Sequence, residues 1–120
     1  MNDLEQGSIV LVDFTFSDHR QSKLRPALVI SNSENNRISR DVIVMKITSK
    51  KPRLWGISLT NEDLVTGSLD CASFVQVDAI YSLEKQIFRE TIGILSEGKL
   101  REIQSHISEL FAITPVRTRK

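Results

Sequence analysis

The sequence has little of what stabilises small secreted domains and none of the long apolar runs that cross membranes. It contains one cysteine, Cys71, in 120 residues. An internal disulfide framework is therefore excluded, and a reducing cytoplasm fits this composition. No apolar run approaches the roughly 20 residues that span a bilayer, and neither end has a signal-peptide pattern. We expect a soluble protein with a single domain, residues 1–120.

Motifs for metals and nucleotides are also missing. One cysteine and two histidines cannot form a structural zinc site of the usual kind, and the HExxH, Walker, GxGxxG and GxSxG patterns do not occur. We predict no metal site and no cofactor. Charged residues make up 26% of the chain but the net charge is only +1. Binding of nucleic acid would therefore depend on local clusters of basic residues.

Short apolar and β-branched segments recur along the first four fifths of the chain. They predict strands at residues 9–14, 27–30, 42–47, 55–59, 73–77, 79–83 (or part of it) and 91–95. The segment NSENNRISRD, residues 32–41, is too polar for the core. Asn61, Asp63 and Gly67 are turn formers that predict a loop. Such a series predicts a small curled antiparallel sheet or a partly open barrel.

The end of the chain predicts a helix instead. Ser96 is placed as its N-cap, and Glu97 follows in the first turn, where a negative charge complements the helix dipole. One apolar stripe recurs at steps of three and four residues: Leu100, Ile103, Ile107, Leu110 and Phe111. The pattern closes at Pro115. We expect this helix to pack on the sheet and residues 116–120 to form a solvated basic tail.

Residues 7–31, GSIVLVDFTFSDHRQSKLRPALVIS, are the most informative part of the chain. Two apolar segments flank a polar loop that ends in Arg25 and Pro26. Because proline biases the preceding residue toward extended backbone, Arg25 is expected at the threshold of the second strand. A cation held there suits an anionic ligand.

This stretch resembles the opening of the PemK/MazF family of toxin endoribonucleases. The family begins with a Gly-x-(apolar)-Val-Leu-Val-Asp strand, then an aromatic-containing loop, then Arg-Pro, an apolar run and serine. The matching positions are Gly7, residues 9–13, Phe16, Asp18, Arg25, Pro26 and residues 27–31; Ile47-Thr48-Ser49 extends the match. The resemblance implies a mainly β fold, a small SH3-like, partly open antiparallel barrel of the PemK/CcdB type with a C-terminal amphipathic helix. It also implies a homodimer with active sites near the dimer interface.

The function implied by the resemblance is that of a type II toxin–antitoxin toxin. Such a protein is a sequence-specific, metal-independent endoribonuclease, an mRNA interferase. It cleaves single-stranded RNA by attack of the 2′-hydroxyl through a 2′,3′-cyclic phosphate and so inhibits translation and growth. The implied partner is a cognate antitoxin with an acidic extended segment, and promoter DNA is bound only with that antitoxin. The implied location is the prokaryotic cytoplasm, with no membrane partner.

Three residues are candidates for catalysis. A guanidinium binds two phosphate oxygens and stays charged, and the resemblance gives the role of the family's essential arginine to Arg25. Thr48 stands where similar proteins have a phosphate-contacting threonine, although threonine also simply favours strands. His19 stands six residues before Arg25, as a histidine does in some relatives, and is the candidate general base or proton relay. A histidine in a polar loop can equally be just solvated.

Basic and polar residues near these positions are candidates for RNA binding: Arg20, Lys23, Ser49, Lys50, Lys51, Arg53 and Gln76. Arg37 and Arg40 extend the basic set in the loop before the third strand. An ordinary solvated rim explains such charges equally well. The aromatic residues Phe14, Phe16 and Trp55 could stack on bases, but core packing is the more favoured reading.

One position departs from the family's pattern. Several relatives have an acidic residue just before a glutamine that Gln76 matches, but Val75 occupies that place here, and Ser73 occupies the place of an upstream arginine. Asp78 is close by, yet strand parity puts it on the opposite face from Val75. This leaves the identity of the base open. Val75 therefore supports one alternative, a degenerate relative that only binds RNA or protein. A toxin that targets DNA gyrase is the second, because a shared fold does not settle function, although such a toxin would not need Arg25 and Thr48 together.

Overall fold

The computed structural model describes residues 4–15 and 22–115, and within these ranges the chain forms seven strands and two α-helices. The strands are β1 Ser8–Thr15, β2 Ser22–Val29, β3 Asp41–Thr48, β4 Gly56–Leu59, β5 Leu64–Gly67, β6 Ser73–Glu84 and β7 Phe88–Leu95. The helices are α1 Ser33–Ile38 and α2 Glu97–Leu110, with short 3₁₀ turns at Asn61–Asp63 and Lys85–Ile87. The predicted mainly β fold with a C-terminal helix is confirmed.

All the strands join one curled antiparallel sheet, in the order β4-β6-β3-β2-β1-β7-β5. β4 and β5 are the two edges, so among the described strands the sheet curls without closing. Side chains alternate between the two faces of a strand, and in this sheet both faces carry buried apolar residues. This architecture agrees with the expected partly open barrel.

Helix α2 covers one face of the sheet. Ile103 is fully buried in the apolar cluster there, and Leu100 and Ile107 pack against it. Ser96 caps the helix as predicted, since its hydroxyl accepts the N–H of Lys99 at 3.2 Å. Phe111 does not belong to the buried stripe. The helix ends at Leu110, which leaves Phe111 as the C-cap with 65% of its surface exposed.

The opposite face carries a second cluster of small β-branched residues and one alanine. We call it the valine face, and it consists of Val10, Val12, Ala27, Val29, Val42 and Val44. These residues come from β1, β2 and β3, the three central strands. Polar side chains continue the same face of β2 and β3 beyond the apolar part, and they form the candidate site described below.

Three strands differ from the predictions. β6 is a single strand, whereas the sequence indicated separate strands at 73–77 and 79–83. Met45 pairs with Ile80 but Lys46 pairs with Gln76, so Val77, Asp78 and Ala79 form a bulge within one continuous strand. The predicted loop around residues 61–67 contains the short edge strand β5. β2 begins at Ser22 and not at residue 27, because β1 pairs with it along its whole length.

The polar segment 32–41 also differs from its prediction, because it contributes to the interior. It forms helix α1, in which Asn36 is completely buried. The Asn36 amide donates to the carbonyl oxygens of Leu4, at 2.7 Å, and Ser31, at 2.9 Å. The Ser31 hydroxyl donates to the Asn36 side-chain oxygen. A buried amide is tolerated here because its hydrogen bonds are satisfied.

We expect Asn36→Ala to lower the free energy of unfolding by about 1–3 kcal/mol, since the change removes a fully buried amide and leaves the carbonyl groups of Leu4 and Ser31 without their donor. Urea denaturation of the variant and the wild type measures the difference. Asn35→Ala is the matched control, since Asn35 is only half-buried in the same helix. Equal loss of stability in both variants would contradict a special role for the buried amide.

Candidate active site

The register of the central strands brings Arg25 and Thr48 to the same place on the sheet. Ala27 of β2 pairs with Lys46 of β3, and Val29 pairs with Val44. The paired residues end at Ala27 and Lys46, and the same antiparallel register, continued by two residues, sets Arg25 opposite Thr48. Arg25 is two residues from Ala27, and Thr48 is four residues from Val44. Residues an even number apart in a strand share a face, so both side chains lie on the same side of the sheet as the valine face. Residues opposite each other in neighbouring strands have Cβ atoms about 5 Å apart.

Arg25 lies inside β2, where it pairs with Val12, and not at the threshold of the strand as predicted. The ladder between β2 and β3 begins only at Ala27, in keeping with Pro26, which has no N–H to donate. The side chain of Arg25 is exposed and makes no hydrogen bond or ion pair with residues 4–15 or 22–115. Its donors are therefore available to a ligand.

Thr48 ends β3 and is half-buried. Its hydroxyl oxygen accepts the backbone N–H of Lys50 at 3.1 Å. A hydroxyl that accepts a hydrogen bond still has its own hydrogen to donate. The turn after β3 therefore orients the Thr48 hydroxyl without using its donor.

β6 adds a polar pair beside these residues. Gln76 pairs with Lys46 on one side and with Gly56 of β4 on the other. The Gln76 amide donates to the Asp78 carboxylate at 3.2 Å. Val75 is fully buried in the core under α2, and Asp78 is exposed. The predicted parity is therefore confirmed, and it places Asp78 on the same face as Gln76.

Sequence reasoning missed Lys46, which lies between Ala27 and Gln76 in this row. A signal for it exists in the segment VIVMKIT: within its strand pattern, residue 46 shares a face with Thr48. It also missed Phe74, which pairs with Thr48 and is half-buried on the same face. Cross-strand pairing between segments distant in sequence decides both neighbours, and no local pattern shows it.

The predicted RNA-binding residues fall into several groups. Ser49, Lys50, Lys51 and Arg53 are exposed on the loop that follows Thr48, and Gln76 is half-buried beside Lys46. Lys23 lies in β2, two residues before Arg25 and on the same face, whereas the sequence placed Lys23 in the loop before the second strand. His19 and Arg20, with Phe16 and Asp18, lie outside the described residues.

The structure separates Arg37 and Arg40 from the other basic residues. They lie just before β3, whereas residues 49–53 follow its other end. Eight residues of extended strand cover about 25 Å. Arg37 is also paired with Glu34 at 3.3 Å. These two arginines therefore do not extend the basic cluster beside Thr48.

Two of the three aromatic candidates, Phe14 and Trp55, pack against the core, as the favoured reading expected. Trp55 contacts the apolar cluster under α2, and Phe14 packs against the valine face. Trp55 also has a left-handed backbone, with φ of 64°, which is rare for a bulky residue. Its carbonyl oxygen accepts the N–H of Val77 at 2.9 Å. This bond ties the start of β4 to the bulge of β6 beside Gln76.

The described residues contain neither a metal-binding cluster nor a membrane-spanning helix. Within residues 4–15 and 22–115, no three His, Cys, Asp or Glu side chains lie together in a way that would hold a metal ion. No helix in the described part of the chain is long and apolar enough to cross a membrane.

An open cleft of about 690 Å³ lies between α2 and the ends of β2 and β3, and Gln6, Ile43 and Arg101 contribute to its lining. It is separate from the row that contains Arg25 and Thr48.

Comparison with known proteins decides the family. The sequence model that describes the PemK-like, MazF-like toxins of type II toxin–antitoxin systems matches residues 5–111. The chain belongs to this family. The resemblance noted at residues 7–31 therefore extends over nearly the whole chain, and the site on the valine face lies within the matched part of this toxin domain.

Individual relatives in the PemK/MazF family are distant. A protein of Staphylococcus saprophyticus named endoribonuclease MazF is 25% identical over 118 residues, which cover 98% of each chain. A MazE–MazF crystal structure from Deinococcus radiodurans has a TM-score of 0.77 at 21% identity, over 94% of this chain and 100% of the other. A mycobacterial endoribonuclease in complex with its cognate antitoxin has a TM-score of 0.73 at 20% identity, covering 96% and 99%. These structures share the fold of this chain.

Proposed function

We propose that this protein is the toxin of a type II toxin–antitoxin system and cleaves single-stranded RNA, mRNA in particular, at a short sequence. The observation that carries the proposal is the row formed by Arg25 and Thr48 on the valine face. Both side chains have donors available there, and a loop with three basic residues follows directly. Family membership, together with the name of the staphylococcal relative, supports the same activity.

The proposed reaction needs no metal ion. The 2′-hydroxyl of the substrate loses its proton to a base and attacks the neighbouring phosphorus, and the bond from phosphorus to the 5′ oxygen breaks. The products are a 2′,3′-cyclic phosphate and a 5′-hydroxyl. Arg25 stabilises the charge on the phosphate oxygens, because a guanidinium can bind two of them at once. Thr48 donates to a phosphate oxygen, and His19 is the proposed base.

Binding of the RNA strand is assigned to residues around this row. Lys50, Lys51 and Arg53 attract the backbone phosphates on one side of Thr48, and Lys23 does so beside Arg25. Arg20 and Ser49 belong to the same proposed surface, and Gln76 presents an amide to it. Sequence preference would arise from contacts with unstacked bases, since proteins read single-stranded RNA in this way.

The proposed partners follow from the same surface. An antitoxin with an acidic, extended segment would neutralise the toxin by covering the basic row, and two solved structures of similar fold contain MazE or a cognate antitoxin. We further propose that the toxin is a homodimer of the prokaryotic cytoplasm. Binding of promoter DNA is proposed only for the complex with antitoxin.

The test is incubation of the purified protein with a long single-stranded RNA in EDTA, with cut sites mapped by primer extension. We expect cuts at a recurrent short sequence and 3′ product ends whose mass is that of a cyclic phosphate. Thr48→Val should slow cleavage by about 10- to 100-fold, since it loses a hydrogen bond to a charged group worth about 1.5–3 kcal/mol. A folded protein that cuts none of several varied RNAs would refute the proposed activity and favour a gyrase-directed or binding-only toxin.

A further inference from the structure

Lys46 lies in the middle of the candidate site, although nothing in the family motifs points to it. It is flanked by Ala27 in β2 and by Gln76 in β6. Thr48 is two residues further along the same strand and face, about 7 Å away along the backbone. Arg25 lies in β2 two residues before Ala27, which makes it a diagonal cross-strand neighbour of Lys46. The ammonium of Lys46 can therefore reach a phosphate held by those two residues.

Lys46 faces solvent beside an irregularity of the neighbouring strand. The bulge of β6 begins directly beside it, between the pairs Met45–Ile80 and Lys46–Gln76. Bulges of this kind redirect side chains and are frequent next to active sites. Lys46 is exposed, and its ammonium has no hydrogen-bond or ion-pair partner in the ranges 4–15 and 22–115. The Lys46 ammonium is therefore available to a ligand that binds on this face.

The side chains around Lys46 differ in whether they can donate a proton. Arginine holds its proton firmly, so Arg25 is suited to binding the phosphate but not to giving up a proton. The Asp78 carboxylate already accepts a hydrogen bond from Gln76. A lysine ammonium carries three N–H donors and can also lose a proton, as lysines do in many active sites. Among the described residues, Lys23 and Lys46 are the lysines that the strands place on this face, and Lys46 is the one two residues from Thr48.

We propose that Lys46 is the general acid that protonates the departing 5′ oxygen. The 2′ oxygen, after losing its proton to the base, forms a new bond to phosphorus, and the bond between phosphorus and the 5′ oxygen breaks. The Lys46 ammonium gives one proton to that oxygen, and the resulting amine regains a proton from water. This assignment rests on the proposed ribonuclease activity and adds a residue to its machinery.

A substrate with sulfur in place of the 5′ oxygen tests the assignment, since a thiolate leaves without needing a proton. On ordinary RNA, Lys46→Met should lower the single-turnover rate by about 100-fold or more, the usual contribution of a general acid. On the 5′-thio substrate the same variant should be within a few-fold of wild type. Lys46→Arg keeps the charge and should remain as slow as Lys46→Met on ordinary RNA.

The matched control is Lys85→Met, the same substitution with the same loss of charge. Lys85 follows β6 at the end where Glu84 pairs with Asp41, about 17 Å along β3 from Lys46. It should cleave both substrates at the wild-type rate. Thermal unfolding of each variant verifies that the substitutions leave the fold intact, at exposed Lys46 and at half-buried Lys85, whose ammonium donates to the Arg37 carbonyl at 3.4 Å.

Each other result overturns the assignment. Equal loss on both substrates, or recovery of the rate in Lys46→Arg, would make Lys46 a phosphate-binding cation only. A Lys46→Met variant as fast as wild type on ordinary RNA would remove it from the reaction. If wild type cuts neither substrate, the proposed ribonuclease activity itself fails, and the role of Lys46 fails with it.

Discussion

Arg25→Ala is expected to reduce the rate of RNA cleavage by about 10³-fold, the largest effect of any single substitution at the site. In the proposed reaction the guanidinium faces the place where negative charge develops on the phosphate, and removing one such donor from an active site typically costs 10²- to 10³-fold. Folding should be unaffected, because Arg25 is exposed and has no polar partner in the described ranges. Single-turnover cleavage of a labelled RNA that contains one mapped cut site measures the rate.

Two further variants separate the role of Arg25 from its charge. Arg25→Lys keeps the positive charge but loses the planar pair of donors, so it should recover only a small part of the rate. Arg101→Ala removes an exposed arginine from α2 that is paired with Glu97, and it should cut RNA at the wild-type rate. Wild-type cleavage by Arg25→Ala would refute the proposed site. A comparable loss in Arg101→Ala would show that overall charge governs cleavage.

Gly67→Ala is expected to destabilise the protein by about 3 kcal/mol or more. Gly67 ends β5 with φ of 84°, and a Cβ there would lie 2.1 Å from the carbonyl oxygen of Ile92. A side chain in left-handed backbone costs about 1–3 kcal/mol before any clash is counted. The clash is with the backbone of β7, which cannot rotate away as a side chain would. Urea denaturation, followed by far-UV circular dichroism, measures the loss.

Gly98→Ala is the matched control, because the same substitution at this position is expected to stabilise the protein. Gly98 lies in the first turn of α2, and a Cβ there meets nothing within 4 Å. Alanine is the better helix former, so this variant should gain up to about 1 kcal/mol. If Gly67→Ala were as stable as wild type, the close pairing of β5 with β7 would be wrong. The edge strand that the sequence did not reveal would then be in doubt.

Local patterns were enough to predict most of the elements. The N-cap at Ser96 and the spacing of Leu100, Ile103 and Ile107 predicted α2, because helix signals act over one or two turns. Strands β1, β3 and β7 were recognised from apolar and β-branched segments, although their ends differ by a few residues. β5 was missed because its four residues, LVTG, include glycine and have only half-buried or exposed side chains. Pairing with β7 makes it a strand.

The site was predictable only in part. Arg25 and Thr48 came from the resemblance, and their proximity follows from the Ala27–Lys46 pair when its register is continued by two residues. Lys46 was missed because its position in the candidate site depends on pairing with Ala27 and Gln76, which lie far from it in sequence. Asn36 was misplaced because burial of an amide becomes favourable only when Leu4 and Ser31 supply acceptors for it.

The family, the kinds of element and the Arg-Pro motif can be recognised from the sequence, because each depends on residues close together along the chain. Which residues are neighbours across the sheet follows only from the folded structure. The bulge of β6 exchanges the faces on either side of residues 77–79, so that Gln76 pairs with Lys46 and holds Asp78 by a hydrogen bond. A shift of register by one residue would move every side chain of a strand to the other face. The candidate site therefore depends on pairing energies between distant segments, and these exist only in the folded sheet.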